Sequence, residues 1–144
     1  MEADHTELKA LSRQECLALL ATVSVGRIVF TEQALPAVRP VGFAVDDGCV
    51  VIRSAASSKL ATTQNMVVAF EADRYDPEAR TGWYVTLTGL AQPVRDPDDV
   101  SHLRHLRLCP WPPGQGGRFI RVCPAIISGH RIAKDIQEGA DRVD

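Results

Sequence analysis

Residues 24–54, SVGRIVFTEQALPAVRPVGFAVDDGCVVIRS, decide the fold. SVGRIVF (24 to 30), LPAVRPVGFAV (35 to 45) and CVVIRS (49 to 54) are β-branched runs divided by polar or glycine turns. Branching at Cβ stiffens χ1 and suits a pleated surface. Asp46-Asp47-Gly48 is a hairpin signal, so three antiparallel strands in a meander are expected.

Outward from this core the pattern continues. Upstream, Ser12 followed three residues later by Glu15 forms a capping box ahead of Cys16, Leu17, Leu19 and Leu20, and predicts a helix over 12 to 21 after a loose leader. Downstream, SSKLATTQN (57 to 65) reads as a capped polar helical turn, and MVVAFEAD (66 to 73) returns to strand. In WYVTLTGLAQPV, Trp83, Val85 and Leu87 alternate with Tyr84, Thr86 and Thr88, the period of a half-buried strand. DPDDVSHLRHLRL (96 to 108) predicts a helix with Asp96 as N-cap and Pro97 at its first position. CPWPPGQGG is an irregular loop, RFIRVCPAIISGHRI (118 to 132) a last strand, and the end frays.

Some six strands with only two substantial helices and short turns predict a mainly β protein, a closed or nearly closed six-stranded antiparallel barrel in one domain over 1–144, with its core at about 11–132. A parallel α/β sheet would need more helix in its crossovers.

Composition narrows the function. The 144 residues carry 16 basic and 18 acidic side chains, net -2, with a pI near 6.1. This lacks the cationic excess that drives nucleic-acid binding through counterion release. No apolar run approaches the roughly 20 residues of a membrane span, and the polar start MEADHTELKA is unlike a signal peptide. A soluble cytoplasmic protein is expected. Cys16, Cys49, Cys109 and Cys123 form no CxxC pair and sit among apolar neighbours, so neither disulfides nor zinc is indicated.

The segment richest in chemistry is Ile52-Arg53-Ser54-Ala55-Ala56-Ser57-Ser58-Lys59-Leu60, where a strand runs into a helix start bearing two hydroxyls and a lysine. A lysine in the first turn opposes the helix dipole unless an anion lies between it and the backbone amides. Phosphate satisfies the serine hydroxyls, Lys59 and the planar fork of Arg53 together. The plainer alternative is a serine cap followed by a solvated lysine.

Read in order, Cys16-Leu17, Gly26-Arg27, Pro40-Val41, Ile52-Arg53-Ser54, Ser58-Lys59-Leu60, Val68-Ala69-Phe70-Glu71, Gly82-Trp83, Gly89 and Gly129-His130-Arg131-Ile132 resemble the pyridoxamine 5'-phosphate oxidase-like superfamily of split-barrel flavoproteins. The nearest type is the small actinobacterial one related to flavin and deazaflavin oxidoreductases. The resemblance covers about residues 11 to 132. It implies a homodimer with two cofactor sites between the subunits, Ile52, Arg53 and Ser54 bordering the flavin, Ser58 and Lys59 binding phosphate, and Arg39 and Val41 lining the same groove. Trp83 and the loop around Trp111 would come from the partner subunit. The family tract resembles RTxxGSKL, with Ser54 here in place of its threonine and Ser57 in place of its glycine.

The expected cofactor is FMN, with the deazaflavin coenzyme F-420 as the alternative; the near-neutral composition shows no basic groove for its acidic tail. Hydride transfer to a small substrate is the expected chemistry, and a non-catalytic flavin- or haem-binding module the competing reading. No nucleophile with its base, no HExxH and no paired carboxylates are present, so hydrolase chemistry has no support. Trp111 reads as either a stacking cover or a loop anchor, His102 and His105 as a solvated helix face interleaved with Arg104 and Arg107, and His130 as structural or ligand-facing.

Overall fold

The computed structural model describes residues 6–54, 60, 63–106, 108 and 117–134. Among these residues eight strands occur, in the order β1 (Thr6–Ala10), β2 (Val25–Glu32), β3 (Leu35–Asp46), β4 (Cys49–Ser54), β5 (Val67–Asp76), β6 (Thr81–Pro93), β7 (Arg118–Val122) and β8 (Ile126–Lys134). Helix α1 (Arg13–Leu20) precedes β2, and α2 (Pro97–Arg104) follows β6.

The sheet runs β1-β8-β6-β5-β2-β3-β4-β7, and β7 returns to β6, so β2 to β7 close into a six-stranded antiparallel barrel with β8 and β1 attached outside the ring. Closure removes the barrel's open edges. The predicted meander is present as β2–β3–β4. Its second turn places Asp47 at φ 51° and Gly48 at φ 77°, the left-handed pair of a two-residue hairpin turn.

The barrel is split at β6. Gly82–Thr88 pairs with β8, whereas Ala91–Pro93 pairs with β7. Gly89 lies at the divide, where an added Cβ would stand 2.3 Å from the Cys123 carbonyl oxygen. The run 118 to 132, expected as one strand, is therefore two. Pro124 has no N–H to donate to a ladder, and the Ala125 amide instead donates to the Thr88 carbonyl at 2.8 Å, turning the chain onto the outer segment of β6. The leader expected to be loose contains β1, paired with β8 from Thr6↔Lys134 to Ala10↔His130. Its sequence, TELKA, carries no β-branched run, so local pattern does not announce a strand that pairing with β8 creates.

Side chains alternate inward along every barrel strand. Ile28, Val41, Phe43, Val50, Ile52, Val68, Phe70, Val85 and Leu87 fill the interior, with Phe43 and Phe70 edge to face at 4.7 Å between centroids. Helix α1 closes onto this core through Cys16 and Leu20, one turn apart on one face. Both hydrogen bonds of its capping box form, Ser12 N to Glu15 Oε1 at 2.8 Å and Glu15 N to Ser12 Oγ at 3.1 Å.

A second, smaller core lies outside the barrel. Val51 and Phe119 on β4 and β7 point outward and pack with Leu103 and Leu108, together with Val94, Val100 and Leu106. Helix α2 is pinned over this face by Asp46, which accepts from His102 Nε2 at 2.9 Å and from Arg121 at 3.4 Å.

The expectation that the cysteines form no disulfide is corrected: Cys49 and Cys123 are joined, with Cα atoms 4.3 Å apart. They are 74 residues apart in sequence, yet the β4–β7 register that pairs Val50 with Val122 sets them opposite each other. Sequence spacing carries no trace of that register. Cys16 is buried and free, and burial pushes its thiol pKa up. No helix among the described residues is long and apolar enough to cross a membrane.

Candidate functional site: an arginine-lined cleft

The β4–β7 ladder places Gly42, Arg53 and Phe119 in one row across β3, β4 and β7. Arg53 and Phe119 are directly opposed, and the guanidinium carbon lies 5.7 Å from the ring centroid. Arg53 also donates to the Leu108 carbonyl at 3.3 Å. These contacts hold the fork at the mouth of a cavity of about 410 Å³ lined by Arg53, Gln64, Pro93, Val94, Arg95, Val100, Arg104, Gly117, Arg118 and Phe119.

Four of these residues are arginines and none is acidic. They arrive from four places: β4 supplies Arg53, the segment after β6 Arg95, α2 Arg104 and the start of β7 Arg118. Arg95 is steered by Gln64, whose Oε1 accepts from it at 2.9 Å. The α2 pattern explains the position of Arg104: Val100 and Leu103 face the second core, which turns Arg104 out to solvent beside the cleft. Arginine forks match phosphate and carboxylate oxygens in pairs, and clustering them against apolar walls concentrates positive potential in one place.

The structure sorts the sequence-predicted residues. Arg53 lines the cleft. Ser54, nearly buried, faces a small adjacent cavity with Arg118 and Leu60. Val41 and Ile52 belong to the barrel core, so only their backbone can meet a ligand. Arg39 lies over the Phe30 ring at 5.9 Å and 3.8 Å from Glu32, away from the cleft lining. Trp83 is at the far end of β6, beside a separate cavity. Ser58, Lys59 and Trp111 lie outside the described residues.

Sequence reasoning missed Arg95, Arg104 and Arg118. Arg104 read as part of a solvated helix face, and the other two flank predicted elements without a motif. The available signal was weak: arginines at element boundaries on two sides of a proline-rich loop. The histidines resolve individually. His102 binds Asp46, His105 Nδ1 donates to the Ser101 carbonyl at 2.7 Å, and His130 shares a 3.0 Å hydrogen bond with the Tyr84 hydroxyl.

On the outer face of β2 and β5, Arg27 bridges Glu71 at 2.7 Å and Asp73 at 2.9 Å. Burial and the hydrogen bond with Asp73 raise the Glu71 pKa. The same hydrogen bond, with Arg27 nearby, lowers that of Asp73. This cluster ties two strands together and is separate from the cleft.

A closed split barrel with a cationic cleft on its outer wall defines the class. The chain belongs to the pyridoxamine 5'-phosphate oxidase family, whose model matches residues 12–131. It is 42% identical over 135 residues to the uncharacterized protein Rv0080 of Mycobacterium tuberculosis, a match covering 90% of this chain and 88% of that one. Among solved structures it is similar to an FAD binding protein from Mycobacterium smegmatis, with 34% identity, a TM-score of 0.75, and coverage of 88% of this chain and 99% of that chain. A conserved protein of unknown function from Corynebacterium diphtheriae is 32% identical with a TM-score of 0.71, covering 88% of this chain and 98% of that one.

Proposed function

We propose that the chain is a flavin-nucleotide-binding oxidoreductase whose cofactor phosphates sit in the cleft of Arg53, Arg95, Arg104 and Arg118. The observation that carries this reading is a lining that, among the described residues, holds four arginines and no carboxylate. The similarity to the FAD binding protein of Mycobacterium smegmatis supports it.

The residues fit the group. Four guanidiniums suit a diphosphate better than a single phosphate, which favours FAD over FMN. The acidic tail of a deazaflavin is the second reading, favoured by the same cluster, which the near-neutral composition concealed. The barrel interior is filled by Phe43, Ile52, Phe70 and Leu87, so a tricyclic ring stays outside it, roofed by a second copy of the chain. When bound, the flavin supplies hydride transfer. The chain's own residues bind and orient it: Arg53 is held on Phe119, Arg95 on Gln64, and Pro93 and Val94 keep the cleft wall apolar.

The test is a visible spectrum of the purified protein, followed by titration with FAD, FMN and F-420 in one fluorescence assay and a mass measurement in solution. Micromolar binding with FAD tighter than FMN, about tenfold weaker in Arg104→Ala, is expected. Absence of binding by all three defeats the proposal. Binding without any change in flavin absorbance on adding NADH or NADPH would replace the oxidoreductase by a binding module, and a monomeric mass would remove the roof.

A further inference from the structure

A second cleft lies at the opposite end of β6. Trp83 and Pro93 are ten residues apart on that strand, roughly 33 Å along an extended chain, so one ligand does not fill both clefts of a protomer. This cavity, of about 360 Å³, is lined by Arg74, Asp76, Thr81, Gly82, Trp83, Arg131 and Ile132. Register builds it: Arg74 pairs with Trp83 across β5 and β6, and Trp83 with Arg131 across β6 and β8. Directly paired residues project to the same side of a sheet. A nearly buried indole is therefore flanked by two exposed arginines.

Neither lining arginine is ion-paired at close range, although the charge of Arg131 reaches Glu15 and adds to the lowering of its carboxyl pKa by Ser12. Arg27, Arg39 and Arg121 each meet a carboxylate, whereas among the described residues neither Arg74 nor Arg131 has one within 4 Å. The acidic lining residue, Asp76, is turned toward its own turn, its Oδ1 accepting from the Glu78 and Ala79 amides at 3.0 and 3.3 Å. Within the lining, two arginines and one aspartate leave one positive charge; beside it Lys9, paired with Arg131 across β1 and β8, offsets Glu15, so a single carboxylate balances the cleft. The volume is that of a small-molecule site, and the Trp83 indole adds an aromatic, apolar contact to its lining.

We infer that the Arg74–Trp83–Arg131 cleft binds a small aromatic monocarboxylate, its carboxylate between the two guanidinium forks and its ring against Trp83. This goes beyond the flavin reading and does not depend on it. The probe is benzoate, titrated into the full chain while the Trp83 indole N–H and the Gly82 amide are followed by NMR, the indole resonance being assigned with Trp111→Phe. Saturable shifts at both positions are expected, at least tenfold weaker in the Arg74→Ala/Arg131→Ala double variant, whose unchanged amide dispersion elsewhere reports an intact fold. Shifts that do not saturate, that survive in the double variant, or that neutral benzyl alcohol reproduces equally would overturn the inference. Repeating the titration with saturating FAD separates the two sites: persistence of the shifts supports an independent cleft, and their loss makes this cleft part of the flavin site and overturns it. If no flavin binds, the titration without it still decides.

Discussion

Arg53 and Phe119 face each other across the β4–β7 ladder, guanidinium over ring at 5.7 Å. The ring restricts the long side chain before any ligand arrives, which lowers the ordering cost of binding. A lysine keeps the charge and loses both the fork and the stacking, whose energy is about 0.5–1 kcal/mol. Arg53→Lys should therefore weaken flavin binding by about tenfold while leaving the unfolding midpoint nearly unchanged, as read by fluorescence titration and thermal melting. Unaltered affinity would place the phosphate elsewhere.

The Cys49–Cys123 bond closes a long loop between strands that are already hydrogen-bonded. Its effect falls mainly on the unfolded chain, and about 2–4 kcal/mol of stability is typical. Cys49→Ser/Cys123→Ser, or reduction, should lower the denaturant midpoint by that order with the fold retained, because β7 also pairs with β6. Mass spectrometry of the protein alkylated straight from cells reports whether the bond forms there; a reducing cytoplasm holds such pairs as thiols.

The turn between β2 and β3 places Gln33 at φ 51° and Ala34 at φ 65°. Neither residue favours the left-handed region, whereas Asn-Gly adopts it readily. Gln33→Asn/Ala34→Gly should raise stability by roughly 1 kcal/mol, measured by urea unfolding. A lower midpoint would show that the added flexibility of glycine in the unfolded chain outweighs the relief.

Glu71 and Asp73 pull stability in opposite directions as pH changes. The lowered Asp73 pKa contributes stability that is present above its unfolded value and is lost as pH falls through the folded value. The raised Glu71 pKa contributes stability that is present below its unfolded value and is lost as pH rises through the folded value. Carboxyl NMR should find Glu71 titrating above the ordinary glutamate range and Asp73 below the ordinary aspartate range. In Asp73→Asn the Glu71 value should move down, since the neighbouring negative charge is gone; an unmoved value would leave burial as the sole cause.

Much of the architecture is readable from local pattern. The β-branched runs of β2, β3 and β4, the alternation of β6 and the Ser12–Glu15 box each depend on residues a few positions apart, and each forms as expected. The chemistry is read less completely. Arg53 stands out because it precedes a serine-lysine turn, while Arg95, Arg104 and Arg118 carry no motif and become one site only because α2 is pinned to Asp46 and β7 is paired with β4.

The sequence by itself determines the alternation, the caps, the turns and hence a closed antiparallel barrel, since these follow from backbone sterics and from apolar periodicity within single segments. Only the tertiary structure decides that Cys49 meets Cys123, that the run after Gly117 breaks at Pro124 to share β6, and that four scattered arginines surround one cleft. Those are properties of register between distant strands. Register is set by packing across the whole barrel and by the edge each strand finds free, and no short stretch of chain contains that information.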